Sequence, residues 1–255
     1  MKNALLEITS LSASYGDGDV IHDIGFDIAP GEIVCLIGES GSGKSTLIKA
    51  IHGMSGLTVT GGSILFDGKD ITKLNARERR KLLSTGIALI PQNPAASFNP
   101  IRKYEAQFRE AFAGHNMPYD EAAIADKFSL IGLSDGKAVL KSRPYELSGG
   151  MNQRIAIAAA MLFEPRLLLC DEATSALDVT TAGTVVNELL KIRDDNGTAI
   201  LMVTHHFGIA KLMADNIGIM KNGRLVEFGN KEKIFDSPED DYTKALMRDV
   251  PRLKY

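Results

Sequence analysis

One stretch constrains this chain more than any other: Gly38-Glu39-Ser40-Gly41-Ser42-Gly43-Lys44-Ser45, a match to G-x-x-x-x-G-K-[ST]. The apolar run Ile33-Val34-Cys35-Leu36-Ile37 precedes it, and Thr46-Leu47-Ile48-Lys49-Ala50-Ile51 follows with a helical pattern. A strand, a glycine-rich loop and a helix in that order make a phosphate-binding loop. The glycines let the backbone curl until successive N–H groups point inward at a phosphate. The helix beginning near Gly43 adds the positive end of its dipole. Lys44 can reach the β- and γ-phosphates of a nucleoside triphosphate, and the Ser45 hydroxyl can ligate Mg²⁺. A Gly/Ser-rich surface turn would require neither the strand before nor the helix after.

Composition narrows the class. The chain has 255 residues, 29 Lys+Arg against 32 Asp+Glu, a net charge of −3 and 44% hydrophobic residues. That suits one large domain, or a core with a smaller lobe. The near-neutral balance argues against nucleic acid as a partner, which needs a basic face. The apolar run Ile155 to Phe163 is about half of the roughly 20 residues that span a bilayer. The N-terminus carries Lys2 and Glu7 rather than an apolar signal segment. A cytoplasmic protein is expected, one able to dock on a membrane protein. Cys35 and Cys170 sit in apolar runs and read as small buried hydrophobes.

Read in order, Leu6, Ile8 and Leu11, then Val20-Ile21 and Ile24 to Ile28, mark strands around a turn-rich loop containing Tyr15. Gly61 to Gly68 reads as a hairpin with an Asp-Gly turn. Arg77-Glu78-Arg79-Arg80-Lys81 lies on a basic helix and reads as a solvated face. Ile87 to Ile90 is a strand ending near Gln92. From 93 to 152 helical segments near 103–113, 120–132 and 134–140 replace β-branched runs, and an Ala-rich helix follows up to Glu164 and Pro165. Leu167-Leu168-Leu169-Cys170 is a buried parallel strand ending in Asp171-Glu172. Residues 199–203 form another, ending at Thr204-His205-His206. Asn222-Gly223 turns a second hairpin, and short helices near 231–236 and 241–248 close the chain. In a parallel sheet the C-terminal strand ends share one edge, so Lys44, Ser45, Asp171, Glu172 and His205 are expected to converge there. His205-His206 as a metal pair is disfavoured because adjacent residues at a strand end point apart.

The segment Leu147-Ser148-Gly149-Gly150-Met151-Asn152-Gln153-Arg154 resembles the signature of the ATP-binding subunits of ATP-binding cassette (ABC) transporters. Further motifs occur in that family's order: the aromatic Tyr15, the phosphate loop, Gln92, Asp171-Glu172 followed by Ser175-Ala176-Leu177-Asp178, and His205. The resemblance implies an α/β fold: a P-loop NTPase core of mostly parallel sheet with helices on both faces, N-terminal antiparallel strands and a helical subdomain. It divides the chain into a core at 1–92, a helical subdomain at 93–152, the core continued at 153–230, and a tail at 231–255.

The same resemblance assigns roles. Tyr15, Gly38, Glu39, Ser40, Gly41, Ser42, Gly43, Lys44, Ser45 and Thr46 would bind ATP. Glu172 would be the base or water-orienting carboxylate, with Gln92 and His205 beside it. Ser45, Gln92 and Asp171 would hold Mg²⁺. Leu147, Ser148, Gly149, Gly150 and Gln153 would complete the ATP site of a facing subunit, and Asp178 would cross that interface. The second ATP-binding subunit could be a copy or a relative.

Within the family, Pro91 to Pro100 and the tail Ser237 to Leu246 are similar to the subgroup importing dipeptides, oligopeptides, nickel and metal chelates. Its partners would be two membrane permease subunits and, indirectly, a solute-binding protein, at the cytoplasmic face of the inner membrane. No cysteine follows Cys170, which leans towards the short nickel or metallophore type rather than members with a Cys-containing extension. His206 stands where the family usually has an Asp that caps the next helix, and Asp240-Asp241 stands where it has His-Pro. Two readings without transport fit less well: a translation ATPase carries two cassettes, and a repair ATPase a long coiled coil between Gln92 and Leu147. A soluble accessory ATPase of a multi-enzyme complex, like relatives in phosphonate metabolism, stays open.

Overall fold

A computed structural model describes residues 4–16, 18–93, 97–175 and 177–248. Asp17, Ala176 and the Pro94-Ala95-Ala96 portion of the stretch after Gln92 lie outside the described residues. The chain divides into two compact units, Met1–Arg79 with Ala199–Tyr255, and Arg80–Thr198.

In the first unit, β1 (Leu6–Ser14), β2 (Asp19–Ile28), β4 (Thr58–Phe66) and β5 (Lys69–Asp70) form an antiparallel sheet in the order β2-β1-β4-β5. Along β2, Ile24, Phe26 and Ile28 alternate inward, the half-buried pattern of such sheets, while Ile21 is buried one step out of phase across an irregularity at Asp23, whose φ is 51°. The Asp67-Gly68 turn joins β4 to β5 with both residues at positive φ, 51° and 74°, the left-handed pair that a tight hairpin demands. β3 (Ile33–Ile37) lies parallel between β8 (Ala199–Val203) and β9 (Asn216–Lys221), and β10 (Arg224–Asn230) pairs antiparallel with β9. Every residue of β3 and β8 is buried, the continuous apolar reading of a central parallel strand. Cys35 is completely buried and its thiol is pushed up to about 12 by burial first, consistent with an inert core residue. The unit also holds α1 (Lys44–His52), α8 (Phe207–Met213), α9 (Lys231–Asp236) and α10 (Asp241–Arg248).

The second unit pairs β6 (Ile87–Ile90) parallel with β7 (Leu167–Asp171). Its helices are α3 (Tyr104–Gly114), α4 (Glu121–Leu130), α5 (Gly136–Lys141), α6 (Gly149–Met161) and α7 (Val179–Asn196). Asp120 caps α4 and Asp135 caps α5, each accepting the N–H three residues on. Phe108 and Phe128 meet edge to face at 5.6 Å, and Phe112 meets Phe163 in the same way at 5.2 Å. The buried Tyr104 hydroxyl bonds to Asn152, whose amide donates to the Pro144 carbonyl. That chain ties α3 to the start of α6. Helix α6 ends at Met161, one turn short of the expected Glu164. Pro165 disfavours a helical residue before it, and Glu164 takes a left-handed φ of 47° instead.

The basic stretch is not uniformly a solvated face. It lies on α2 (Ala76–Thr85), where Arg77, Glu78, Arg80 and Lys81 are exposed. Arg79 turns inward and donates to the carbonyls of Ala50, Ile51, His52 and Ile71. The first three belong to the last turn of α1, whose carbonyls have no partner within the helix. Gly53 allows this: its φ is +77°, and a Cβ there would fall 2.2 Å from the Arg79 side chain. Substituting Arg79→Ala should lower unfolding stability by about 2 kcal/mol, since several carbonyls lose their donor. Arg77→Ala should stay within about 0.5 kcal/mol. Urea denaturation of the two variants checks both expectations.

Candidate functional site

The phosphate loop leaves β3 at Gly38. A Cβ at Gly38 would lie 2.2 Å from the Met220 carbonyl oxygen on β9, so no larger residue fits. Gly43 takes a φ of +99°, and a Cβ there would meet Ile21 at 2.8 Å. The loop closes on the Lys44 side chain. Its ammonium donates to the carbonyls of Gly38 and Glu39, both at 2.8 Å, and to the Ser42 hydroxyl at 3.2 Å. Lys44 is 7% exposed. The β9–β10 turn supports the loop from the side: the Gly223 N–H donates to the Ser42 carbonyl at 3.0 Å. Gly223 in turn accepts from the His22 N–H, with a φ of +76° and no room for a Cβ beside Val20. The Asn222-Gly223 signal announced a hairpin; its contact with the loop depends on the parallel placement of β9 beside β3.

Two more expected groups belong to this unit. Val203 pairs with Leu36, and the Thr204 N–H donates to the Leu36 carbonyl at 3.2 Å. His205 therefore leaves its strand at the edge from which Gly38 leaves. His205 and His206 do not point apart: their rings are 4.2 Å apart between centroids and tilted by 40°. The expected loss of the Asp cap is visible, since His206 occupies the N-cap of α8 with no side-chain cap bond. The Thr204 hydroxyl accepts the His206 N–H instead, at 3.0 Å. No group of three or more metal-ligating side chains occurs among the described residues. Tyr15 is 50% exposed just past β1, with the Lys49 ammonium 5.9 Å from its ring centre.

The second unit carries the acidic pair. Cys170 pairs with Ile90 in the parallel β6–β7 ladder, so Asp171, Glu172 and Gln92 all follow the same end of it. Asp171 is buried. The Gln92 amide donates to a Glu172 carboxylate oxygen at 3.1 Å. Glu172 takes a φ of 52°, a conformation that side-chain-bearing residues avoid and that clusters at functional positions.

Gln153, like Asn152 beside it, is buried, unlike Ser148 and Gly149 at the start of the segment. It is fully buried, and its amide donates to the carbonyls of Ala173 and, at 3.5 Å, Glu172. It holds the turn behind the carboxylate from within. Leu147 is half-buried, whereas Ser148 and Gly149 are exposed. The Ser148 hydroxyl caps α6 by accepting the Met151 N–H at 3.3 Å, and a Cβ at Gly149 would meet nothing within 4 Å. That leaves the first turn of a 13-residue helix open to an anion. Asp178 caps α7 through the Thr181 N–H and hydroxyl, which hold its carboxyl below its ordinary pKa. Beside it, Val179 is 91% exposed, an apolar contact point that residue-by-residue reading does not single out. An open apolar groove of about 270 Å³ is lined by Leu83, Ala88, Phe98, His115, Ala160 and Phe163. His115 stacks on Phe163 at 3.5 Å to form part of its wall.

Comparison with known proteins gives the family. The family model described as ABC transporter matches residues 21–175. The dipeptide transport ATP-binding protein DppD of Bacillus subtilis is 34% identical over 98% of this chain and 77% of its own length. The oligopeptide transport ATP-binding protein OppD of Salmonella typhimurium is 35% identical over the same shares. Among solved structures, an ATP-binding subunit of an ABC transporter superposes with a TM-score of 0.76 at 28% identity, over 96% of this chain and 95% of that one. A dimeric ATP-binding cassette in a post-hydrolysis state, bound to ADP and phosphate, has a TM-score of 0.80 over 88% of this chain and 98% of its own. At 23% identity it speaks for the fold. With a P-loop NTPase fold, a closed phosphate loop and a carboxylate pair at a strand end, the chain belongs to the ABC transporter family, as an ATPase subunit.

Proposed function

We propose that this chain hydrolyses ATP to power the uptake of peptides through a membrane transporter. The observation that carries the cargo class is the likeness, along 98% of the chain, to ATP-binding proteins of dipeptide and oligopeptide transport. Peptides therefore take precedence over nickel and metal chelates. The same likeness does not favour an accessory ATPase outside transport.

The chemistry follows from the residues. The N–H groups of Gly41 to Thr46 and the Lys44 ammonium bind the phosphates, with Tyr15 stacking on adenine. Ser45, Gln92 and Asp171 offer only oxygen donors, the set that magnesium takes. Bound there, Mg²⁺ would neutralise charge on the β- and γ-phosphates. Glu172 orients the attacking water and accepts its proton, and its bond to Gln92 holds the carboxylate in one direction. His205 donates to the γ-phosphate. A second ATP-binding subunit supplies the closing residues, through its counterparts of Leu147, Ser148, Gly149 and Gly150. The open first turn of α6 and the exposed Asp178-Val179 edge support such an interface. The partners are two permease subunits, with a solute-binding protein acting through them. The apolar groove beside Phe98 and Phe163 supports docking of a permease segment at the cytoplasmic face of the membrane. No helix among the described residues is long and apolar enough to cross it.

Substituting Glu172→Gln should lower turnover by about 100-fold or more while ATP binding persists and an ATP-bound dimer accumulates on size-exclusion chromatography. Turnover near that of the unaltered protein would refute the role. In the unaltered protein, specific activity should rise with concentration, because each ATP needs residues from two subunits. Specific activity that stays constant down to clearly monomeric samples would overturn the shared site.

A further inference from the structure

The C-terminal tail reaches back to the phosphate loop. Two carboxylates set its course. Glu227 on β10 accepts the N–H groups of Glu239 and Asp240, at 2.8 and 3.2 Å. Asp240 then caps α10 by accepting the N–H groups of Tyr242 and Thr243, at 2.8 and 3.2 Å. Thr243 is completely buried, so the first turn of α10 is seated rather than loose. This seating brings the Tyr242 hydroxyl to the Glu39 N–H, which donates to it at 3.3 Å. The Lys221 ammonium, at the end of β9, lies 4.4 Å from the centre of the same ring.

The peptide between Gly38 and Glu39 is therefore held at both poles. Its carbonyl oxygen accepts from Lys44, and its N–H donates to Tyr242. A planar trans peptide points these groups in opposite directions, so one restraint comes from within the loop and the other from the tail. When Lys44 turns to nucleotide phosphates, its bonds to the Gly38 and Glu39 carbonyls weaken. The Tyr242 hydroxyl then still holds the N–H of this peptide. Burial raises the phenol's pKa, the bond from the Glu39 N–H lowers it, and the Glu39 carboxylate raises it again, for a net upward shift.

We propose that Tyr242 is a positioning residue of the nucleotide site: docked by α10, its hydroxyl fixes the Gly38–Glu39 peptide and so pre-sets the loop for the phosphates of ATP. By linkage, nucleotide binding tightens the docking of α10 in return. The inference rests on Gly38 to Ser45 being the ATP loop.

The test uses the full chain and a fluorescent ATP analogue. Tyr242→Phe keeps the ring and removes one neutral hydrogen bond, so the Kd for nucleotide should rise about three- to tenfold. At saturating ATP, kcat should stay within about twofold, because the bound loop is restored by the phosphates. A merely structural role would instead lower kcat with the folded fraction and leave KM alone. Glu227→Ala, which releases the turn delivering Tyr242, should raise the Kd in the same direction. Hydrogen exchange at residues 239–246 should slow on adding ADP in the unaltered chain and respond less in Tyr242→Phe. An unchanged Kd in both variants, or tail exchange indifferent to nucleotide, overturns the proposal. If Lys44→Ala binds ATP as well as the unaltered chain, the ATP-loop reading itself fails, which is a separate outcome.

Discussion

The Lys44 ammonium, enclosed by the carbonyls of Gly38 and Glu39 and the Ser42 hydroxyl, is the interaction on which the nucleotide end of the molecule depends. A nearly buried cation needs oxygen partners, since removing it from water is costly without them. Here the partners are the loop's own backbone oxygens. Satisfying the charge and curling the chain are thus one event. In the proposed function, nucleotide phosphates take over the same cation from a loop that is already shaped around it.

The surroundings of that loop explain why Gly38 and Gly43 tolerate no substitute. Gly38 lies against a β9 carbonyl, Gly43 against Ile21 of β2, and Gly223 against a β2 carbonyl. Strands distant in sequence crowd one loop from several sides. At the other catalytic candidate the device differs. Glu172 sits in a left-handed conformation, with Gln92 on its carboxylate and Gln153 on its backbone carbonyl. Two glutamine amides, one from the strand end of β6 and one from within α6, hold a turn that would otherwise relax.

Much of this was legible in the linear pattern. Continuous apolar runs marked β3, β7 and β8, alternation marked β2, and Asp-Gly and Asn-Gly marked the two hairpin turns. The site candidates were legible because phosphate chemistry demands particular residue types at fixed spacing. Arg79 was not, because its partners come from the end of α1, more than twenty residues earlier. Nor was the buried setting of Gln153, since a polar glutamine near a helix start gives no sign of facing inward until the packing of α6 turns it there.

By itself, the sequence determined the family and the order of strands and helices, and it named the side chains proposed to bind a nucleotide, because local periodicity and motif spacing encode these directly. The tertiary structure alone decided which backbone groups lock the phosphate loop, how Tyr242 comes to face Glu39, and that the two histidines lie ring against ring. Those contacts join residues separated by a whole sheet crossover, or turn on a single side-chain rotation. Neither leaves a periodic trace in the chain, and both are settled by close packing and by the requirement that buried polar groups find partners.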